Sequence, residues 1–343
     1  MTDTGKIIGM AVVGCGYWGP NLMRNFSLQP DSDLRWLVDQ DPQRLKRCGE
    51  QYPQARTTTD LSEALADPKL QAAAIATPVS THHPLAKQCL MAGKHVLLEK
   101  PMAQKVSECE ELIALAGEKG LTLMVDHTFI FTGAVRKIRE LIAAGELGRI
   151  YYFDSVRVNL GLFQHDVNVI WDLAPHDLSI MDYVLPQKPT HVSAHGACHM
   201  AGSSIENIAY LTLKFDDATL AHFHVNWLAP AKIRRIIIGG SKKMLVYDDL
   251  SPDERIKIYD KGLVLKDGPS ADAHQILAGY RIGDIYTPNV DCTEALRREA
   301  GHFLDCIRER RTPESDGPAG LRIVKILAAA QESLAANGSW IAL

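Results

Sequence analysis

The chain has 343 residues, of which 46% are hydrophobic and 23% charged, a composition typical of a soluble globular protein with two domains. Its formal charge of −4, without a basic block, argues against a nucleic-acid partner. No apolar run reaches the ~20 residues of a membrane span and no secretory leader is evident, so we expect a cytoplasmic protein without membrane contact. The seven cysteines are scattered without a CxxC pair, which indicates reduced thiols rather than disulfides or a zinc site.

The N-terminal part of the chain alternates apolar strands with helical segments. This order predicts a parallel sheet covered by helices on both faces, with ligands beyond the carboxyl ends of the strands. The predicted strands are Ile7–Val13, Leu34–Val38, Ala72–Ala76, His95–Leu98 and Leu121–Val125. The predicted helices between them are Pro42–Gln51, Ser62–Ala66, Pro84–Ala92 and Val106–Lys119.

A glycine-rich loop follows the first strand and leads into a helical segment. In this context Gly14 permits a tight turn, Gly16 lets backbone approach phosphates, and Gly19 lets helix and strand pack closely. This order predicts a dinucleotide site, whereas a purely structural glycine turn is the alternative. We expect the whole loop to contact the cofactor, namely Gly14, Cys15, Gly16, Tyr17, Trp18 and Gly19.

Asp39 ends the second strand and favours NAD over NADP. A carboxylate there can accept hydrogen bonds from the adenosine ribose and would repel a 2′-phosphate. Arg44 and Arg47 lie nearby and could neutralise such a phosphate, which leaves NADP as the alternative.

Lys100 ends the fourth predicted strand, between Glu99 and Pro101, in the same row as the glycine loop. This position lets its ammonium group reach the nicotinamide crevice, although an isolated lysine before proline is usually a solvated loop residue. Thr77 and Pro78 end the preceding strand at the same edge, with His82 shortly after. We therefore predict that Thr77, Pro78, His82, Glu99 and Lys100 border the cofactor.

The second half of the chain begins with a helix, Ala134–Ala144, and then reads as a series of strands. These predict an open, mostly antiparallel sheet whose free face is covered by another subunit, and thus a homo-oligomer, dimer or tetramer. His222 and His224 share one sheet face and are interpreted as surface or interface residues, without a metal. The strands are Arg149–Asn159, Thr190–His199, Ile208–Phe215, Thr219–Trp227, Arg234–Ile238 and Met244–Tyr247, and two helices, Cys292–Arg308 and Gly320–Ala336, close the chain.

Asp172 and His176 are four residues apart, which places both on one helix face if the first turn, including Pro175, is helical. A carboxylate beside an imidazole can fix its tautomer and stabilise the imidazolium, as a base acting on a hydroxyl requires. The alternative is that Asp172 caps the helix and His176 packs beneath it.

The segment before this helix is rich in hydrogen-bond donors that could bind a polar substrate. Arg157 could pair with a phosphate or carboxylate, or could instead be an ordinary strand residue. The predicted substrate contacts are Lys100, Arg157, Asn159, Gln164, Asn168, Trp171, Asp172 and His176.

Together these motifs resemble the Gfo/Idh/MocA oxidoreductase family. The resemblance rests on the Gly14–Gly19 loop, Ala76-Thr77-Pro78, Glu99-Lys100-Pro101, Asp172-x-x-x-His176 and the tail around His302-Phe303-Leu304. It implies an α/β fold: a doubly wound Rossmann domain, residues 1–127, then an α+β domain for substrate binding and oligomerisation, residues 128–343. It also implies Lys100, Asp172 and His176 as catalytic residues and NAD as cofactor.

Within the family, the Gly-Tyr-Trp-Gly-Pro-Asn start and the Trp-Asp-Leu-Ala-Pro-His-Asp segment are similar to enzymes of surface-polysaccharide and lipid A biosynthesis. This similarity implies oxidation of the C3 hydroxyl of UDP-N-acetylglucosamine or its uronate, with a pyridoxal-phosphate aminotransferase acting on the product. The alternatives are a free-sugar or inositol dehydrogenase, a 3-ketosugar reductase, and a non-catalytic NAD-binding regulator. Which of Lys100 and His176 is the base stays open.

Overall fold

The computed structural model describes residues 7–161, 167–200, 202–265 and 278–343. The contacts divide the chain into two compact units, which are described separately: residues 1–132 with 293–328, and residues 133–292 with 329–343. Among the described residues, no helix is long and apolar enough to cross a bilayer.

The first unit contains a parallel sheet of buried apolar strands. Its order β3-β2-β1-β4-β5-β6 in the described chain is the doubly wound order of dinucleotide-binding folds. The strands are β1 (Ile8–Val13), β2 (Ser32–Val38), β3 (Arg56–Thr58), β4 (Ala72–Ile75), β5 (His95–Glu99) and β6 (Leu123–Asp126). Its helices are α1 (Gly19–Ser27), α2 (Pro42–Gln51), α3 (Leu61–Leu65), α4 (His82–Met91) and α5 (Val106–Lys119). The predicted parallel sheet is confirmed, and only the short β3 was missed.

The second unit begins with α6 (Gly133–Ala143) and contains a large mixed sheet. In the described chain its order is β16-β13-β12-β11-β7-β10-β9-β8-β17, and only the β7–β10 pairing is parallel. The strands up to β12 are β7 (Ile150–Leu160), β8 (His191–Ala197), β9 (Ile208–Lys214), β10 (Leu220–Asn226), β11 (Leu228–Gly240) and β12 (Met244–Asp248). The remaining strands are β13 (Ile256–Tyr259), β14 (Gly262–Leu265), β15 (Ala278–Arg281), β16 (Ile285–Tyr286) and β17 (Ile341–Ala342), with β14 and β15 pairing separately.

Helix α7 (Val169–Val184) packs against β7 and β10 and thereby buries one face of this sheet. Alternate residues of β10 are accordingly buried, among them Ala221, Phe223 and Val225. The predicted open, mostly antiparallel sheet is confirmed.

The unit boundaries differ from the single break expected after residue 127. Helix α8 (Ala295–Glu309) and most of α9 (Gly317–Ala335) belong to the first unit although they follow the second unit's strands β7 to β16 in the chain. Apolar packing of α8 on α1, including an edge-on contact of Phe26 and Phe303 at 6.3 Å, explains this return.

Candidate active site

The glycine loop joins β1 to α1 with the geometry that a dinucleotide requires. Gly14 has a φ of +100°, and a Cβ there would lie 2.4 Å from the carbonyl oxygen of Ala76. A Cβ on Gly19 would lie 1.9 Å from the Gly14 oxygen, so helix and loop pack too closely for a side chain. Above Gly16, by contrast, the nearest atom is Arg44 Nη1 at 3.8 Å. The open space at Gly16, beside a helix N-terminus without a side-chain cap, therefore fits a pyrophosphate.

Asp39 connects the end of β2 to the glycine loop. Its Oδ2 accepts the backbone N–H of Cys15 at 2.6 Å, and its Oδ1 accepts the N–H of Asp41 at 2.8 Å. Arg44 is engaged by the same carboxylates, since its Nε lies 3.3 Å from Asp41 Oδ2 and its Nη1 4.0 Å from Asp39 Oδ2. The carboxylate is therefore fixed beside the loop, where the ribose of an NAD molecule would lie.

The other residues predicted to border the cofactor at this edge differ in their solvent exposure. Tyr17 and Pro78 are exposed, and Thr77 is half-buried with its hydroxyl accepting from that of Thr81 at 2.7 Å. His82, predicted to border the cofactor, is instead buried. Both of its ring nitrogens contact backbone carbonyl oxygens of the protein.

Glu99 belongs to a buried carboxyl cluster at the ends of β5 and β6, which we define as Glu99, Asp126 and Glu299. Asp126 accepts hydrogen bonds from the Trp18 indole N–H, at 3.0 Å, and from the Thr128 hydroxyl. Burial and the neighbouring Asp126 raise the pKa of Glu99 and of Glu299 well above the usual range. No local spacing in the sequence indicates this cluster, because it joins residues far apart in the chain.

Lys100 follows Glu99 directly and is half-buried. Its backbone N–H donates to Glu99 Oε2 at 3.0 Å, and its peptide bond to Pro101 is cis. The buried carboxyl cluster therefore lies next to the turn that carries the predicted catalytic lysine.

Helix α7 of the second unit carries Asp172 and His176, both half-buried. The helix begins at Val169, so both residues lie within it, four residues apart on one face. Asn168 caps the helix by accepting the N–H groups of Ile170 and Trp171, so the alternative that Asp172 is the cap is wrong. Pro175 lies inside the helix rather than at an early position, because the helix starts six residues before it.

Trp227 fixes the carboxylate of Asp172 and was not predicted as a site residue. Its buried indole donates to Asp172 Oδ2 at 2.9 Å. Because 55 residues separate the two, no local spacing in the sequence indicates this contact.

Arg157 and Asn168 were predicted to contact the substrate, but in the structure their polar groups contact other residues of the protein. Arg157 is buried in a two-pronged ion pair with Asp177, at 3.0 and 2.6 Å, and the Ser155 hydroxyl donates to the same carboxylate. Asn168 is also buried, and its amide group donates to Glu206 and Gln331. Trp171 and Asn159 are half-buried, and Gln164 lies outside the described residues.

The strand order, the glycine loop and Asp39 define an NAD-binding Rossmann protein. A sequence model of the oxidoreductase family GFO_IDH_MocA, with its NAD-binding Rossmann fold, matches residues 8–127. A second, for the GFO/IDH/MocA C-terminal domain, matches residues 135–246. The chain therefore belongs to the Gfo/Idh/MocA family of oxidoreductases, and the expected cofactor, NAD, is confirmed.

Three relatives illustrate the range of substrates. The chain is 27% identical to UDP-N-acetylglucosamine 3-dehydrogenase of Acidithiobacillus ferrooxidans, covering 91% of this chain and 93% of that protein. A solved structure of the same enzyme superposes with a TM-score of 0.81 at 24% identity, covering 96% and 98% of the two chains. The WlbA dehydrogenase from Bordetella pertussis, solved with NADH and UDP-GlcNAcA, gives a TM-score of 0.80 at 20% identity, covering 100% and 99%. The NADP(+)-dependent scyllo-inositol 2-dehydrogenase IolW of Bacillus subtilis is 26% identical over 68% of this chain and 62% of that protein.

Proposed function

We propose that this oxidoreductase oxidises the C3 hydroxyl of a nucleotide sugar, UDP-N-acetylglucosamine or a derivative, to the 3-keto sugar. The observation that carries the proposal is the similarity to the Acidithiobacillus ferrooxidans 3-dehydrogenase along 91% of this chain. The residues expected to act on the hydroxyl, Lys100, Asp172 and His176, are all present.

The glycine loop and Asp39 would hold NAD, which would supply the hydride acceptor for oxidation at C3. His176 removes the proton from the C3 hydroxyl, a role that suits an imidazole as general base. Lys100 stabilises the negative charge that develops on the oxygen, or itself removes the proton. Asp172, fixed by the Trp227 indole, orients the residue that acts as base.

The preference for NAD over NADP rests on Asp39. Its carboxylate is held in place by two backbone N–H groups, and Arg44 is occupied by Asp39 and Asp41. A 2′-phosphate would therefore meet a negative charge, whereas the ribose hydroxyls of NAD would find an acceptor.

The first experiment measures NADH formation at 340 nm with purified protein, NAD and a sugar panel. The panel contains UDP-N-acetylglucosamine, its uronate, UDP-glucose, the matching free sugars and inositol. A parallel sample contains glutamate and a pyridoxal-phosphate aminotransferase, because removal of the 3-keto product favours oxidation. We expect absorbance to rise only with a UDP-linked sugar.

Substitution of the two predicted acid–base residues tests the mechanism. Lys100→Met and His176→Ala should each lower kcat by at least about 100-fold, since positioned acid–base groups contribute at least that much. NAD affinity, measured by fluorescence titration, should stay near the wild-type value because neither change alters the glycine loop. Near-normal turnover in both variants would contradict the assignment.

The second candidate function is oxidation of an inositol or a free sugar. The similarity to scyllo-inositol 2-dehydrogenase favours it, although that match covers a smaller share of the chain. Turnover of inositol or free sugars in the same panel, with none of the UDP-sugars, would establish this candidate instead. An NAD-binding protein that oxidises no compound of the panel would point to the non-catalytic regulator.

A further inference from the structure

The imidazole of His82 bridges two loops at the carboxyl edge of the parallel sheet. His82 is the first residue of α4 and is only 1% exposed. Nδ1 lies 2.9 Å from the carbonyl oxygen of Pro101, and Nε2 lies 2.8 Å from that of Thr77. Thr77 follows β4 and Pro101 follows β5, two strands that pair directly in the sheet. One ring therefore contacts the loop predicted to border the cofactor and the turn that carries Lys100.

Both neighbours of the ring are carbonyl oxygens, which only accept hydrogen bonds. A neutral imidazole has one N–H group, so it donates to one carbonyl and presents a lone pair to the other. An imidazolium would donate to both carbonyls, and these two contacts raise the pKa of His82. Burial lowers it by more, so the pKa of His82 lies below its ordinary value. The neutral ring must therefore favour one of the two loops.

The burial of the two contacts indicates which carbonyl receives the proton. The Nδ1 contact with Pro101 is fully buried, whereas the Nε2 contact with Thr77 is only partly buried. A buried carbonyl without a donor loses more free energy than one that water can reach. An N–H group at Nδ1, beside Pro101, therefore stabilises the folded protein more than an N–H group at Nε2 does.

We propose that His82 is a positioning residue whose Nδ1–H holds the Lys100–Pro101 turn, and so sets where the Lys100 ammonium group stands at the sheet edge. The role in catalysis rests on the proposed function, in which Lys100 acts on the substrate hydroxyl. The hydrogen bond itself does not depend on which substrate is used.

Two conservative substitutions separate the contacts of the ring. In His82→Asn the side-chain amide nitrogen occupies roughly the place of Nδ1, and in His82→Gln roughly that of Nε2. His82→Asn should keep the Pro101 contact and most of the wild-type kcat. His82→Gln and His82→Ala should lower kcat by up to about 100-fold, the loss that misplacement of a catalytic group by 1 Å can cause. KM for the sugar should change little, because His82 does not contact it.

His83→Ala is the matched control. His83 is the next residue of the same helix, and its ring contacts Glu111 at the surface at 2.7 Å. Its kcat should equal the wild-type value, and melting temperatures should show that all variants are folded. Equal kcat values for His82→Asn and His82→Gln, or a wild-type kcat for His82→Ala, would overturn the proposal.

A spectroscopic measurement on the wild-type protein needs no substrate, and needs a variant only to assign the His82 signal. Nitrogen-15 shifts of labelled histidine distinguish the protonated from the unprotonated ring nitrogen, and the His82 signal is assigned as the one absent from His82→Asn. We expect a proton on Nδ1, and a ring protonated only on Nε2 would overturn the proposal. Failure of the proposed function would instead appear as a wild-type protein that oxidises no UDP-sugar, whatever the state of His82.

Discussion

Glu299 is a fully buried carboxyl group beside a second carboxyl, that of Asp126. Its side chain is 0% exposed, and neither oxygen accepts a hydrogen bond from a group in the described part of the chain. Asp126, the neighbouring carboxyl, accepts hydrogen bonds from the Trp18 indole and the Thr128 hydroxyl. Together with the raised pKa of Glu299, this arrangement favours the protonated form of Glu299 in the folded protein.

Glu299→Gln should therefore stabilise the protein increasingly as the pH rises. The pKa of Glu299 is raised in the folded state, so the unfolded chain releases its proton from about pH 4.3 upward while the folded protein keeps it. The wild-type protein consequently loses stability as the pH rises towards the folded pKa, by about 1.4 kcal/mol for each unit of difference. Glutamine has no proton to release and can still donate to Asp126. Melting temperatures at pH 5 and pH 8 measure the difference.

Glu294→Gln, at the start of the same helix, is the control for this prediction. Glu294 pairs with Arg24 at the surface, and the hydrogen bond from that guanidinium lowers the pKa of Glu294. This carboxylate stabilises the protein above the unfolded pKa, so its substitution should give no gain at pH 8. A Glu299→Gln variant that is less stable than the wild type at pH 8 would mean that Glu299 is ionised and paired.

At the level of elements, α7 is the helix that carries two predicted catalytic residues, and Asn168 determines where it begins. The Asn168 side chain accepts two N–H groups of the first turn, and its amide nitrogen donates to Glu206 and Gln331. Loss of such a cap typically costs about 1 kcal/mol. We therefore expect the polar atoms of Asn168 to act on α7 rather than on the substrate.

Asn168→Ala tests this interpretation against the predicted substrate contact. The free energy of unfolding in urea should fall by about 1–2 kcal/mol, because the cap and its two further contacts are lost. Asn168→Asp should recover the capping part, since aspartate caps helices as well as asparagine does. KM for the sugar should stay at the wild-type value in both variants, and a large rise in KM without loss of stability would restore the contact predicted from the sequence.

The sequence predicts those elements whose signals are local. The glycine loop, Asp39 and the alternation of strands and helices lie close together in the chain, and from them the parallel sheet follows. Contacts between residues on different elements leave no such signal. Asp126 accepts a hydrogen bond from Trp18, which lies 108 residues away in the chain, and Arg157 contacts Asp177 because β7 packs against α7. The sequence therefore predicts substrate contacts for Arg157 and Asn168, whereas in the structure both are buried and contact other residues of the protein.

At the scale of the whole molecule, both units have cores assembled from distant segments. Helix α8 returns to the first unit, where Arg24 and Glu294 pair across 270 residues. Amphipathic helices such as α8 carry an apolar stripe that predicts burial but not the surface that covers it. We accordingly propose a substrate-binding unit over residues 133–292 with a short C-terminal segment, in place of the continuous domain predicted from the sequence.

The free face of the large sheet is the surface that we propose joins copies of this chain. Its strands alternate buried residues beneath α7 with half-exposed residues on the other side, among them Tyr210, His224, Val156 and Ile237. The ring of Tyr210 stacks on that of His224 at 4.5 Å, which makes part of this face flat and aromatic. We propose that a second copy of this sheet covers this face.

Ile237→Lys tests whether this face mediates assembly. Ile237 lies on β11, next to the central strand β7, so the lysine would bring a charge into the middle of the contact. We expect the wild-type protein to sediment as a dimer or tetramer and the variant as a monomer of unchanged melting temperature. Met91→Lys, which alters a residue of α4 that is 61% exposed, should leave the assembly intact. A wild-type monomer at micromolar concentration, or a variant that assembles normally, would mean that this face is solvated, as one side of an antiparallel sheet commonly is.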